Sequence, residues 1–424
     1  HLGESIFFAR LFSVIAVALG VYVASLVASA YLPERMRIWA TAVIAFNPFV
    51  IASAIEARVY GLVFLWSALL MWLFHAGYLG RHNAKARVAF ALVAVAALYT
   101  QYYTGFLLPA FAAALIVHRR WRDLGVFATW MVFVGVSFVP AALYVHSEIA
   151  TNATNFATSQ GPLGNLINAI RVLVYDTLAL EWLGRTPRLL ADAGAAILVA
   201  IILWRADKVA LRQTVGDPAT ILVTALILFV VAVTATHTPV SGRYLAAFHL
   251  LALITFFGLL SALPGLSSQR TTAIVASVLL LVNVGSFVNT YRPLAKLGDW
   301  SRVAAYITAN ESANQRIVVF DAQSALPLAY YYKGKNLIVA LPHAMRFDRY
   351  DLHDVALHNG SEVAHALGYP AGVASVWLVT SNGCRRAPVN FRCELLDGVV
   401  SRRYRTILDR EFYGSRVRLL RESK

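Results

Sequence analysis

The chain has 424 residues, of which 59% are hydrophobic and only 14% charged, with a formal net charge of +15. A soluble domain carries roughly a quarter charged residues, so this composition excludes an ordinary soluble enzyme and points to the bilayer. Much of the positive excess lies in short loops between apolar stretches, where basic residues orient a membrane protein; this sets nucleic acid aside and makes anionic lipids and lipid-linked substrates the expected partners.

Residues 1–5 form a polar opening without a secretory leader, and with His1 in place of Met the chain is expected to continue upstream. Apolar stretches come next at 11–31, 38–55, 60–79, 88–102, 104–117, 124–144, 190–205, 219–236, 244–263 and 270–290. Roughly 17–25 such residues span the hydrocarbon as a helix, which satisfies its own backbone. The expected fold is therefore a polytopic α-helical membrane protein of about ten transmembrane helices. The fourth and fifth stretches are short and read either as two spans or as one hairpin with its tip at Gln101–Gly105.

The loops alternate in charge. One set holds Arg35 and Arg37, then Arg81, Lys85 and Arg87, then Arg119, Arg120 and Arg122, then Arg205, Lys208 and Arg212, and last Arg270. The other set holds Arg58, none at the 101–105 tip, then Arg171, Arg185 and Arg188, and then Arg243. The positive-inside rule makes the first set cytoplasmic and puts the C-terminal domain outside. The expected setting is a bacterial plasma membrane. Residues 145–189 form a long outer loop. Within it Leu166–Tyr175 is apolar at helical spacing and reads equally as an interfacial helix or as a packing helix between spans.

Residues 1–290 thus form a multi-pass membrane domain, and 291–424 a small soluble α/β domain. In the latter, 299–307 reads as an amphipathic helix, 316–320 as a strand, 326–332 as a helix, and 337–341 and 376–380 as strands. The tail from Val400 to Leu420 reads as a helix and an edge strand. Cys384 and Cys393 are the chain's two cysteines and are expected to pair in an oxidising compartment. No metal site is expected, because Glu56 has no second carboxylate at ligand spacing, and no cofactor motif is present.

Ionisable residues at membrane depth are functional hypotheses by default. Three segments at outer helix ends qualify. Glu56, Arg58 and Tyr60 lie between the second and third spans; an interfacial ion pair with a belt tyrosine is the plain alternative. Ser241-Gly242-Arg243-Tyr244 opens the ninth span; its arginine fork matches phosphate oxygens, the alternative being a snorkelling Arg beside a belt Tyr, with His237 merely solvated nearby. Tyr99–Gly105, with Gln101 and Tyr102, offers hydrogen bonds and ring faces to a sugar, or is again aromatic belt. A site built from these takes one substrate from the membrane and another from outside.

These segments carry a resemblance. Gly3-Glu4-Ser5 with Arg10-Leu11-Phe12-Ser13, Pro48 to Tyr60 ending in Glu-Ala-Arg-Val-Tyr, Leu98 to Gly105, Arg243-Tyr244-Leu245, and Asp299-Trp300 with Val303, Ala304 and Ile307 resemble, in order, motifs of GT-C glycosyltransferases. The likeness is to the family 39 group of protein O-mannosyltransferases and aminoarabinose-transferase-like enzymes. It implies a polyprenyl-phosphate sugar donor, transfer to a protein, lipid or cell-wall glycan on the outer face, and inversion at the anomeric carbon. By this match Arg243, with Tyr244, is the expected donor-phosphate clamp, and Glu56, Arg58, Tyr60, Gln101 and Tyr102 shape the substrate pocket. The family's catalytic Asp lies in a first outer loop ahead of these motifs. The sequence given holds neither that loop nor the first span, and Glu4 lies too close to the second span to serve, so the chain reads either as a fragment with that loop upstream of His1 or as an inactive form. The catalytic base is therefore assigned to no residue here. Rival readings are a transporter or flippase, or a non-catalytic subunit, for lipid-linked sugars. A transporter places polar residues near mid-bilayer, where this chain has only Asn47-Pro48 and Asn283.

Overall fold

The computed structural model describes residues 6–56, 58–80, 82–155, 161–180, 194, 204, 208–238, 240–263, 268–290, 299–346, 351–368, 375–381 and 390–423. The chain divides into two compact units, His1–His146 with Ser159–Asn289, and Ser147–Thr158 with Thr290–Lys424.

The first unit is helical. Its described helices are α1 (Ile6–Tyr31), α2 (Glu34–Ala45), α3 (Pro48–Ile55), α4 (Tyr60–Phe74), α5 (Ala84–Thr100), α6 (Leu107–Val117), α7 (Trp121–Asn155), α8 (Pro162–Leu178), α9 (Lys208–Ala235), α10 (Gly242–Leu245), α11 (His249–Ser261) and α12 (Gln269–Thr290). Among the described residues, six helices are long and apolar enough to cross a membrane, and seven crossings result if α2 and α3 count as one. The stretch expected as one helix over 38–55 is broken, its halves bent by 46°. Asn47 causes the break: it accepts from Phe49 N as an N-cap, and Pro48 occupies the first helical position. Stretches 88–102 and 104–117 become α5 and α6, joined by a 3₁₀ turn Tyr102–Phe106. That is the hairpin alternative, with α6 too short to cross alone. Stretch 190–205 lies outside the described residues apart from two positions.

The basic loops gather at one end of this unit. Arg35 donates to Ser261 O at 3.3 Å, and His118 pairs with Asp217. Asp123 accepts from Arg87 at 2.8 Å and Arg120 at 3.1 Å, with the His82 ring 3.1 Å away. Here α4 ends in a π-helical turn, His75–Leu79, whose carbonyls are capped by those same arginines: Arg87 Nε donates to Gly77 O and Arg120 Nη1 to Leu79 O, both at 2.8 Å. The segment expected as an outer loop is partly helical. α7 runs on to Asn155, and α8 buries Asn165, Ala169, Leu173 and Asp176 against the spans while leaving Leu163, Ile167 and Ile170 exposed. Asn165 Nδ2 donates to Thr234 Oγ1 at 2.9 Å, which ties α8 to α9.

The second unit is a five-stranded sheet in the order β2-β1-β3-β5-β4, with β1 Arg316–Phe320, β2 Leu337–Ala340, β3 Val376–Ser381, β4 Tyr404–Phe412 and β5 Ser415–Glu422. β1 is parallel to β2 and β3; β5 runs antiparallel to β3 and β4. Apolar clusters cover both faces, one including α13 (Trp300–Asn310) and α14 (Ala325–Tyr331), the other α15 (Gly360–Ala366) and α16 (Cys393–Arg403). The tail differs from expectation: its helix is α16, and β4 with β5 makes a full β-hairpin in place of one edge strand. Tyr413-Gly414 makes the turn, where φ of 79° suits glycine.

Candidate functional site

The end of the helical unit opposite the basic loops holds a polar cluster around Arg243. Gly242 begins α10, which passes through a 3₁₀ turn, Ala246–Phe248, into α11. A Cβ at Gly242 would stand 2.8 Å from Asp176 Oδ2 and 3.5 Å from Val172 Cγ1. Glycine therefore lets α8 pack directly on the arginine turn. From the other side Gln101 Nε2 donates to Arg243 O at 2.9 Å. Tyr103 stacks on Tyr244 with ring centroids 4.5 Å apart, and Tyr102 leans on Tyr103 at the same separation. These contacts hold the backbone of the turn. The Arg243 side chain is exposed and forms no hydrogen bond or ion pair among the described residues, so its five donors are open to a ligand.

Beneath the turn lies a buried polar node. Asn47 is fully buried, and its amide is saturated: Nδ2 donates to Asp176 O at 3.2 Å and Thr177 O at 3.0 Å, while Oδ1 accepts from Phe49 N at 2.9 Å. A backbone N–H faces Oδ1, so the amide cannot be turned around. His249 Nε2 lies 3.2 Å from the same oxygen and must carry the proton, which makes Nδ1 the bare nitrogen. Asn47 thus joins the α2–α3 bend, the end of α8 and the start of α11, and α8 in turn packs on the Arg243 turn. Sequence reasoning assigns none of Asn47, Asp176 and His249 to the site, and marks Asn47 only as a polar residue at depth. The amphipathic stretch it finds ends at Tyr175, one residue short of Asp176; a lone acid in an apolar helix is the available signal.

The structure brings together two of the three expected segments. Gln101 and Tyr102 belong with Arg243 and Tyr244, whereas no described hydrogen bond or ion pair links Glu56 or Arg58 to that cluster. Glu56 and Arg58 pair with each other at 3.7 Å, both side chains about half exposed. Such a pair is worth about 0–1 kcal/mol. Tyr60 begins α4, partly buried against the helical core. In the second unit Cys393 is disulfide-bonded at the start of α16; Cys384 lies outside the described residues.

The chain has a GT-C glycosyltransferase-like fold. A similar solved structure is that of ArnT from Cupriavidus metallidurans, determined with undecaprenyl phosphate bound. The TM-score is 0.57 at 12% sequence identity, and the likeness covers 97% of this chain and 84% of that one. No protein-family profile matches the chain, and no curated protein sequence does so.

Proposed function

We propose that the chain is a membrane glycosyltransferase that moves a hexose or pentose, mannosyl-like in chemistry, from a polyprenyl phosphate to an acceptor outside the plasma membrane. The acceptor is a protein hydroxyl, a lipid or a cell-wall glycan. One observation carries this reading: Arg243 is fixed through its backbone, by Gln101 and by the Tyr103–Tyr244 stack, while its guanidinium has no partner among the described residues. An arginine that serves the fold uses its side chain; this one offers its side chain to something else. A phosphate fits the fork in two parallel hydrogen bonds. The likeness to a structure that held undecaprenyl phosphate supports the same ligand class.

In such a transfer the acceptor oxygen bonds the anomeric carbon and gives up its proton, and the bond from that carbon to the phosphate oxygen breaks with the electron pair leaving on the polyprenyl phosphate. The departing phosphate is a good leaving group, so stabilising its charge matters more than protonating it. Arg243 supplies that stabilisation. Tyr244, Gln101 and Tyr102 shape the clamp, while Glu56, Arg58 and Tyr60 form a separate outer segment. The proton of the acceptor goes to a carboxylate that we assign to no residue of this chain. Residues 1–290 carry the transfer, and 291–424 form an extracytoplasmic domain in which Cys384 pairs with Cys393.

Transfer from a radiolabelled polyprenyl-phosphate sugar tests the reading. Arg243→Ala is expected to lower kcat about a hundredfold, as the loss of one preorganised donor does, while the melting temperature in detergent is unchanged. Activity retained in that variant removes Arg243 from the site. Cys384→Ser is expected to give a single labelled thiol at Cys393; labelling of both thiols in the native protein excludes the bridge.

A further inference from the structure

At the end of the helical unit away from Arg243, a cavity of 510 Å³ opens between α4 and α5. That volume lies within the range of small-molecule sites. Trp72, Ala76 and Ala89 form apolar walls, and His75, Asn83 and Lys85 stand at its polar end. The cavity lies where α4 gives way to a π turn, two residues of which, His75 and Ala76, line it. The π turn His75–Leu79 widens the helix there, and π turns recur at functional positions. Nothing in the proposed transfer uses this region.

Its chemistry is two-sided. The walls match a hydrocarbon chain. The polar end carries Lys85, exposed and without a hydrogen bond or ion pair from its ammonium among the described residues. His75 also lines the cavity, and its buried Nδ1 has no hydrogen-bond partner among the described residues. Asn83 caps α5, accepting from Lys85 N at 2.9 Å and Ala86 N at 3.4 Å, so the positive end of a helix dipole also faces this rim. The nearby charges do not cancel. Arg87 and Arg120 share the carboxylate of Asp123, and the carboxylate of Asp217, which pairs with His118, also acts on His75; with Lys85 added the rim keeps a small positive excess, three cations against two carboxylates. Basic pockets between membrane helices at the headgroup depth take anionic lipid headgroups.

We propose that this cavity binds one anionic phospholipid, its phosphate at Lys85 and His75 and an acyl chain along Trp72, Ala76 and Ala89. The site is distinct from the Arg243 cluster and does not depend on the transfer reading.

The test places the full chain in phosphatidylcholine vesicles containing a minority of phosphatidylglycerol, with one lipid or the other brominated on its chains. Fluorescence quenching of Trp72 is obtained as the difference between the native protein and Trp72→Phe. Brominated phosphatidylglycerol is expected to be enriched at Trp72 about fivefold, the factor that one basic residue near the surface supplies. Lys85→Gln is expected to abolish that preference. Ala89→Phe, which fills the cavity without touching the charge, is expected to remove the difference signal for both lipids. Equal quenching by the two lipids in the native protein overturns the proposal, as does a preference unchanged in Lys85→Gln. Loss of the preference on adding inorganic phosphate also overturns it, since the site would then hold a free anion rather than a lipid.

Discussion

The two ends of the helical unit use arginine in opposite ways. At the basic-loop end, Arg87 and Arg120 spend their guanidiniums on Gly77 O, Leu79 O and the carboxylate of Asp123. At the other end, Arg243 is held by what touches its main chain and keeps its guanidinium exposed. The first arrangement locks helix ends together. The second leaves its cation available, in keeping with the phosphate clamp we propose. The same residue type at helix ends of one unit is thus structural in one place and available in the other, and the hydrogen-bond partners tell the two apart.

Substitutions break this contrast in a definite order. Asp123→Ala strands two arginines whose side chains are mostly buried, and is expected to destabilise the fold by about 3 kcal/mol, the scale for removing one member of a buried ion pair. Denaturation in detergent reads that loss, and an unchanged midpoint would mean that the arginines find water instead. Arg243→Lys is expected to leave stability alone and lower transfer about tenfold, less than Arg243→Ala, because a point charge replaces the fork. If stability falls instead, Arg243 belongs with the structural arginines. Gln101→Ala releases the Arg243 carbonyl; one neutral hydrogen bond is worth about 1 kcal/mol, or about a fivefold loss in kcat/KM. A drop confined to the melting temperature would show that Gln101 only packs.

The smallest effect lies in the C-terminal unit and serves as a control that shares no residue with either arginine cluster. Burial first, and then the hydrogen bond to Glu311, push the Tyr332 phenol up to about 12. A pKa raised on folding stabilises the native state fully below the unfolded tyrosine value of about 10, and that contribution is lost as pH rises through the folded value. Alkaline unfolding of Tyr332→Phe is expected to be flatter than that of the native chain between these limits. Identical slopes would remove the group from the pH dependence.

Much of this organisation is legible in the sequence where burial follows composition. The expected stretch 60–79 coincides with the crossing Tyr60–Leu79, and 270–290 with Gln269–Val288 to within two residues. The α2–α3 break is not, although Asn47-Pro48 is a helix-start signal: the flanking apolar residues read as one continuous span. The β4–β5 hairpin is hidden by its charges and by the register shift between Thr406 and Leu408, which interrupts the alternation a strand shows. At the candidate site, Arg243 and Gln101 each stand out alone. Their hydrogen bond joins residues 142 positions apart, and no local pattern encodes it. Asp176 and His249 owe their places to Asn47, a tertiary fact of the same kind.

The π turn at the end of α4 has a consequence for the chain's history. A π turn holds one residue more than the α-helical path it replaces. Removing one residue from His75–Leu79 would restore an ordinary helix along the same path, so the residues beyond it would keep their places. What would go is the widened turn itself, and with it the Gly77 and Leu79 carbonyls that Arg87 and Arg120 cap. An insertion at that point is tolerated only together with the residues that cap it. Relatives of this chain are therefore expected to show a one-residue gap there whenever those two arginines are missing, and an unbroken alignment whenever both are kept.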